Sequence, residues 1–207
     1  VTSLTGDAWA MQTARMIVQF YELHDHDAPS HDPHNMAYFE RSFAENTVWW
    51  HQHTGQKVLW WTSSSHSSNG PGRAISFPPA PPEALPNAGG FLRERLGAGY
   101  ASIGLTFHAG ELTTYSGSKT FHIPGAAPEL FESILGANGL GDYFLDLRAK
   151  RPAAVTELLG RTARFRAIGP VYDPDNDAAH HMTGGSPAEW FDVIVHRRRV
   201  TPARPLD

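Results

Sequence analysis

The stretch Gln56–Asn69 (QKVLWWTSSSHSSN) constrains the fold more than any other part of the chain. An apolar run, Val58-Leu59-Trp60-Trp61, breaks abruptly into Thr62-Ser63-Ser64-Ser65-His66-Ser67-Ser68. Such a run, part β-branched and part aromatic, suits a strand covered on both faces, as inside a parallel sheet. In open α/β sheets ligands bind just beyond the carboxyl ends of such strands. The pattern predicts a strand over Lys57–Trp61 that floors a cleft, with His66 at its mouth. A serine-rich surface loop carrying a solvated histidine is the other way to read the same residues.

The remaining chain alternates helical and extended patterns. Asp7 to His24 reads as a helix, capped by Thr5 or Asp7, with Trp9, Ala10, Ala14, Ile17, Val18 and Tyr21 as a core-facing stripe. A second helix is expected from Asn35 to His53, ended by Gly55. It carries Glu40 and Asn46 at the borders of an apolar stripe, and a buried Asn or Glu needs partners or costs about 1–3 kcal/mol. Asn69 to Asn87 is Pro-rich and predicts a long loop, a lid or binding wall. Beyond it, helices are expected at Phe91–Leu96, Pro128–Leu135 and Ala153–Leu159. Strands are expected at Tyr100–Phe107, Tyr143–Leu147 and Phe191–His196, with a hairpin joining Leu112–Tyr115 to Thr120–Ile123. Ser186-Pro187-Ala188-Glu189 is a capping box with Pro at the first helical position. This alternation predicts one α/β domain over residues 1–207, a layered α/β/α arrangement around a mostly parallel central sheet.

Composition excludes several function classes. A net charge of −4 over 207 residues, with Arg197-Arg198-Arg199 the only basic cluster, gives no reason to expect nucleic acid or an anionic membrane as partner. No apolar run approaches membrane-spanning length and the N-terminus shows no signal peptide, so the expected location is cytoplasmic. With no cysteine, any metal would need His, Asp and Glu. The segment His24–His34, with His24, His26, His31 and His34 among carboxylates, is the one place to look for a metal. Its spacing matches no zinc motif, so no metal and no cofactor is expected.

Nucleophile and phosphate-loop signatures are absent: there is no G-x-S-x-G, H-E-x-x-H, P-loop or strand-linked G-x-G-x-x-G. His66 is therefore the leading candidate for chemistry. His180 and His181 stand behind it, and only one of that adjacent pair can face a given site in extended chain.

Several segments, taken in order, resemble the erythromycin esterase family, which includes succinoglycan biosynthesis proteins. The family's R-D-x-x-M-A-x-N helix is matched by Phe39-Glu40-Arg41-Ser42-Phe43-Ala44-Glu45-Asn46. Its W-A-H-N-x-H strand end is matched by Trp61-Thr62-Ser63-Ser64-Ser65-His66, and its later segments by Gly89–Tyr100, Ile103–Phe107 and Phe191–His196. Trp61, His66, Ala44 and Asn46 keep the family residue; Phe39 replaces an arginine, Glu40 an aspartate, Ser63 a histidine and Ser64 an asparagine. The resemblance implies metal-independent hydrolysis of a carboxylic ester or macrolactone by water, with a histidine as general base. It places His66 in the catalytic role and Glu40, Asn46, Ser63, Ser64 and Trp61 at the substrate or in support of the site, where His180 and His181 are candidates from their own acidic loop. It also implies that the family's catalytic His, with its acid and arginine companions, lies in an N-terminal half without counterpart here. The chain alone is then expected to be an incomplete fold, inactive unless that half is supplied. A non-catalytic relative that keeps the cleft as a small-molecule binding module is the alternative.

Overall fold

The computed structural model of the protein describes residues 7–24, 33–70, 73–113, 120–169 and 172–202. Two long helices open it, α1 (Ala8–His24) and α2 (Pro33–Thr54). Asp7 Oδ1 caps α1 by accepting from Trp9 N and Ala10 N. Gly55, at φ +66°, ends α2 in the left-handed region. The two helices are pinned by Asn46, which accepts from Gln12 Nε2 (2.7 Å) and donates to Gln19 Oε1 (3.0 Å). The expected core stripe of α1 is not buried. Ile17, Val18 and Tyr21 are more than half exposed, because α1 meets α2 through another side, with Trp9, Gln12, Arg15, Gln19 and Glu22. Of the histidine-rich segment, residues 25–32 lie outside the described residues, so the metal reading of His26 and His31 does too.

After α2 come α3 (Ser64–Ser67), β1 (Arg73–Phe77), β2 (Ala80–Leu85) and α4 (Ala88–Leu96), then β3 (Ile103–Thr113) and β4 (Thr120–Ile123). The chain continues through α5 (Phe131–Ala137), β5 (Tyr143–Asp146), α6 (Ala153–Gly160), β6 (Phe165–Arg166), β7 (His181–Thr183), α7 (Pro187–Trp190) and β8 (Val193–Val200). The strands form two four-stranded sheets, β2-β1-β7-β6 and β4-β3-β8-β5. Among the described strands only β3 and β8 run parallel. The mixed α/β class holds, and the mostly parallel central sheet does not: β1–β2 is a tight hairpin, which forces antiparallel pairing, and β3–β4, β1–β7, β6–β7 and β5–β8 are antiparallel too.

Two further expectations fail for identifiable reasons. Asn69–Asn87 is no long loop, because it contains the β1–β2 hairpin. Its prolines are tolerated in β2, which lies at the sheet edge where a missing N–H costs no ladder bond. Lys57–Trp61 is irregular rather than a strand, with Leu59 84% and Trp61 79% exposed. A strand needs a neighbour to pair with. The β3 edge on this side is closed by Ser64, whose Oγ accepts from Leu105 N (2.8 Å) and donates to Leu105 O (3.2 Å).

The main core joins Phe131, Leu135, Leu159, Phe165, Trp190 and Ile194 across the two sheets and α5–α7. A smaller cluster, Ala44, Ala88 and Leu92, holds α2 against α4. The second sheet is fully covered on one side only. Thr106, Ile194 and His196 are buried there, whereas Ile103, Leu105 and Phe144 on the other side are exposed, so the expected α/β/α layering is absent among the described residues.

Candidate active site

The candidate site grows from α3, a single helical turn of serines and His66. Ser63 opens the turn in extended conformation and its carbonyl accepts from His66 N and Ser67 N. A four-residue helix has no stability of its own. Here three carbonyls of the turn and its C-terminal cap are instead gripped by other elements. Ser65 O accepts from Arg73 Nε of β1, Ser67 O from the Tyr100 phenol and Ser102 Oγ (2.6 Å), and Ser68 O from Asn87 Nδ2 (2.6 Å). Burial pushes the Tyr100 phenol up to about 12, so it stays a donor at any physiological pH. Helix α4 approaches so closely that a Cβ on Gly89 would stand 2.3 Å from the carbonyl oxygens of both Ser67 and Ser68. Only glycine fits there.

Beneath the turn lies Glu40, on α2 and fully buried. Its Oε1 receives His66 Nδ1 at 2.6 Å and Arg73 Nη2 at 2.9 Å, and its Oε2 receives the backbone N–H of Ala88 at 2.8 Å. An isolated buried carboxylate would be prohibitively costly. This one is compensated by a guanidinium, an imidazole N–H and the first N–H of α4, where the helix dipole favours negative charge. Burial pulls the Arg73 guanidinium below its usual range, with the Glu40 charge opposing that pull. Arg73 is itself almost fully buried and leaves Nη1 without a partner.

The geometry fixes the histidine's chemistry. A carboxylate only accepts, so the proton sits on Nδ1 and Nε2 keeps its lone pair. His66 is the exposed member of the set, with 29% of its side chain open, and the Phe39 ring lies 6.2 Å away. The result is an imidazole anchored at one nitrogen and available at the other.

The other residues expected at the site scatter. Ser63 Oγ bonds Ser65 Oγ, Ser64 plugs the β3 edge, and Asn46 ties α1 to α2. Trp61 stands in solvent beside a cavity of about 450 Å³ lined by Trp60, Leu92, Tyr100, Ile103 and Leu105. Lys57–Trp61 all line that cavity, with Ser67, but the segment is not a strand and His66 is not among the lining residues. His180 is buried, its Nε2 accepting from Asp173 N at 3.1 Å; His181 pairs opposite Ser76 and its Nδ1 meets Ala178 O. Neither touches His66 among the described hydrogen bonds and ring contacts. Arg73 and Asn87 were missed. The available signal for Arg73 was a single cation heading an apolar run (RAISF) inside a proline- and glycine-rich stretch.

Among the described residues, no group of three or more His, Asp or Glu could hold a metal ion, and no helix is long and apolar enough to cross a membrane.

The fold is shared by longer proteins. A protein from Bacillus cereus superimposes with a TM-score of 0.74 at 22% identity, over 97% of this chain and 47% of its own. A succinoglycan biosynthesis protein gives 0.70 at 26% identity, over 93% and 45%. A mutant of the erythromycin esterase EreC in its open conformation gives 0.52 at 15% identity, over 92% and 42%. The chain thus spans about half the length of these structures. No curated protein gives a significant match. The family model for erythromycin esterase matches residues 2–200, nearly the whole chain, and the chain therefore belongs to the erythromycin esterase family.

Proposed function

We propose that this chain supplies the His66 wall of an ester hydrolase active site that a further polypeptide portion completes. The observation that carries the reading is the Arg73–Glu40–His66 array, in which a buried carboxylate orients one histidine with Nε2 outward. In the proposed reaction Nε2 accepts a proton from water as the water oxygen bonds to the carbonyl carbon of a carboxylic ester or macrolactone. Glu40 stabilises the imidazolium that forms. Collapse of the tetrahedral intermediate breaks the C–O bond, and the departing alkoxide takes the proton back from Nε2, leaving acid and alcohol. The buried Arg73 serves Glu40 rather than substrate, since its guanidinium faces Ser65 O and the carboxylate. The developing oxyanion needs donors aimed at it. Arg73 Nε and Nη2 and Ser64 Oγ are committed to structure, which supports a second portion as the source of those donors.

The test is hydrolysis of erythromycin and of simple aryl esters, followed by mass spectrometry. The chain alone is expected to show no turnover. Supplied with the half of the Bacillus cereus protein that has no counterpart here, it is expected to hydrolyse one of these substrates, and His66→Ala is expected to abolish that activity. Robust hydrolysis by the isolated chain that His66→Ala removes would contradict the two-portion reading. Hydrolysis indifferent to His66 would contradict the assignment of the base.

A further inference from the structure

We propose that the open face of the second sheet, with Leu59 and Trp61 beside it, is the docking surface for a helical layer contributed by that second polypeptide portion. The inference rests on the two-portion reading above and says where, and by what kind of contact, the portions meet.

Strand register defines the surface. Leu105 pairs with Val195 and Val195 with Phe144, so these three side chains form a row across β3, β8 and β5 on one side of the sheet. Ile103, two residues before Leu105, lies on the same side. Phe144 is 74% exposed, and Ile103 and Leu105 are each 44% exposed. The row runs into the 450 Å³ cavity, which Ile103 and Leu105 share with Leu59 and Trp61. This is a contiguous apolar surface rather than scattered exposed residues, and such surfaces on folded proteins mark interaction sites. The β3–β8 pair at the centre of this sheet is parallel, and sheets built of parallel strands are covered on both faces. Here the far face carries the core, and among the described residues this face is covered only in part, at Ile103 and Leu105 by the walls of that cavity, with Phe144 left open.

Two observations select the occupant. The B. cereus structure matches 97% of this chain but only 47% of its own length, so about half of that protein has no counterpart here. A layer from that half is what a part-covered sheet lacks. The mode is face packing, not strand addition, because side chains already occupy the β3 edge: Ser64 Oγ bonds Leu105 N and O, and Arg166 Nη1 donates to Phe107 O. Two of the rim cations are paired, Arg197 with Asp142 at 2.7 Å and Arg148 with Asp146 at 3.3 Å, and Arg199 follows on the same side of β8, beyond the apolar row. The matching surface on the partner is therefore an apolar helix stripe with no charge at its centre.

The experiment mixes the full chain with the unmatched half of the B. cereus protein, or that of the succinoglycan biosynthesis protein, produced as a separate polypeptide. Association is read by sedimentation velocity. A 1:1 complex is expected with at least one of the two halves. Leu105→Asp and Phe144→Asp are each expected to weaken it about tenfold or more, as for residues at the centre of an interface. The double change Leu59→Ser with Trp61→Ser, in an irregular exposed segment, keeps the test decisive if a strand variant fails to fold by circular dichroism. Val155→Asp, on exposed α6, is expected to leave the complex unchanged. Failure of both halves to associate, a complex indifferent to all four apolar positions, or a homodimer broken by these same changes would each overturn the proposal. A complex that forms but hydrolyses nothing would sink the hydrolase reading and leave the surface standing. Hydrolysis by the chain alone, without association, would sink both the surface and the need for a partner.

Discussion

Two buried arginine–carboxylate pairs in this molecule begin from the same ingredients and end differently. Arg166 meets Asp177 through two nitrogens at 2.7 Å and spends its remaining N–H groups on the carbonyls of Phe107, His108 and Pro124. Tyr172 closes the far side by donating to Asp177, and Glu132, at the start of α5, accepts from Arg166 N. Arg166 and Asp177 themselves are almost wholly buried. Arg73 and Glu40 make a sparser node. Arg73 leaves one buried nitrogen unpaired, and Glu40 gives part of its capacity to a histidine that reaches the surface. A fully satisfied pair fixes a fold, whereas a pair that shares its carboxylate with a part-exposed imidazole orients a group that the proposed reaction uses for proton transfer.

The comparison can be broken by substitution. Arg166→Met strands Asp177 and three carbonyls in the interior and is expected to cost about 5 kcal/mol, read from urea unfolding. Glu40→Gln leaves Arg73 charged and unpaired and is expected to cost somewhat less, about 4 kcal/mol, while also releasing His66. Equal or reversed costs would erase the distinction between the two nodes.

The closed node also carries a titration that the open one does not need. Burial raises the Glu132 carboxyl from 4.5 to about 7. The folded state then holds a proton that the unfolded chain gives up, so this stabilisation is fully present below about pH 4.5 and is lost as pH rises through about 7. Its size is about 3 kcal/mol, and Glu132→Gln is expected to flatten unfolding midpoints across that window. His196 opposes it at the acid end. Burial lowers that imidazole from 6.5 to about 4, so its contribution is present above 6.5 and is lost as pH falls through about 4. The two effects separate by comparing Glu132→Gln with the parent chain at each pH. A midpoint profile that keeps its slope in Glu132→Gln would place the titrating group elsewhere. The smallest effect belongs to His66 itself: His66→Ala is expected to cost less than about 1 kcal/mol, because the side chain is part-exposed and Glu40 keeps Arg73 and Ala88 N.

The outline of helices was readable from residue types. Asp7 and Gly55 mark where α1 begins and α2 ends, and the Ser186–Glu189 capping box forms as its spacing predicts. Sheet architecture was not, because pairing partners leave no mark on a strand's own residues. Val58–Trp61 has strand composition but no free edge, and the proline-rich β2 has loop composition but an edge to occupy. The site was half legible. His66 stood out by its place after an apolar run, and Glu40 by its position on a helical stripe. Their contact depends on α2 and α3 meeting across 26 residues, which no local pattern encodes. Arg73 was invisible because a lone arginine in a proline- and glycine-rich stretch reads as solvated, and only the buried carboxylate draws it inward.

The most direct test of the account is the protonation of His66, read by ¹⁵N-correlated NMR of the imidazole in the intact chain at neutral to mildly alkaline pH. A proton on Nδ1 and a free lone pair on Nε2 is the expected result, with that preference lost in Glu40→Gln. A proton on Nε2, or a mixture of tautomers unchanged by Glu40→Gln, would contradict it.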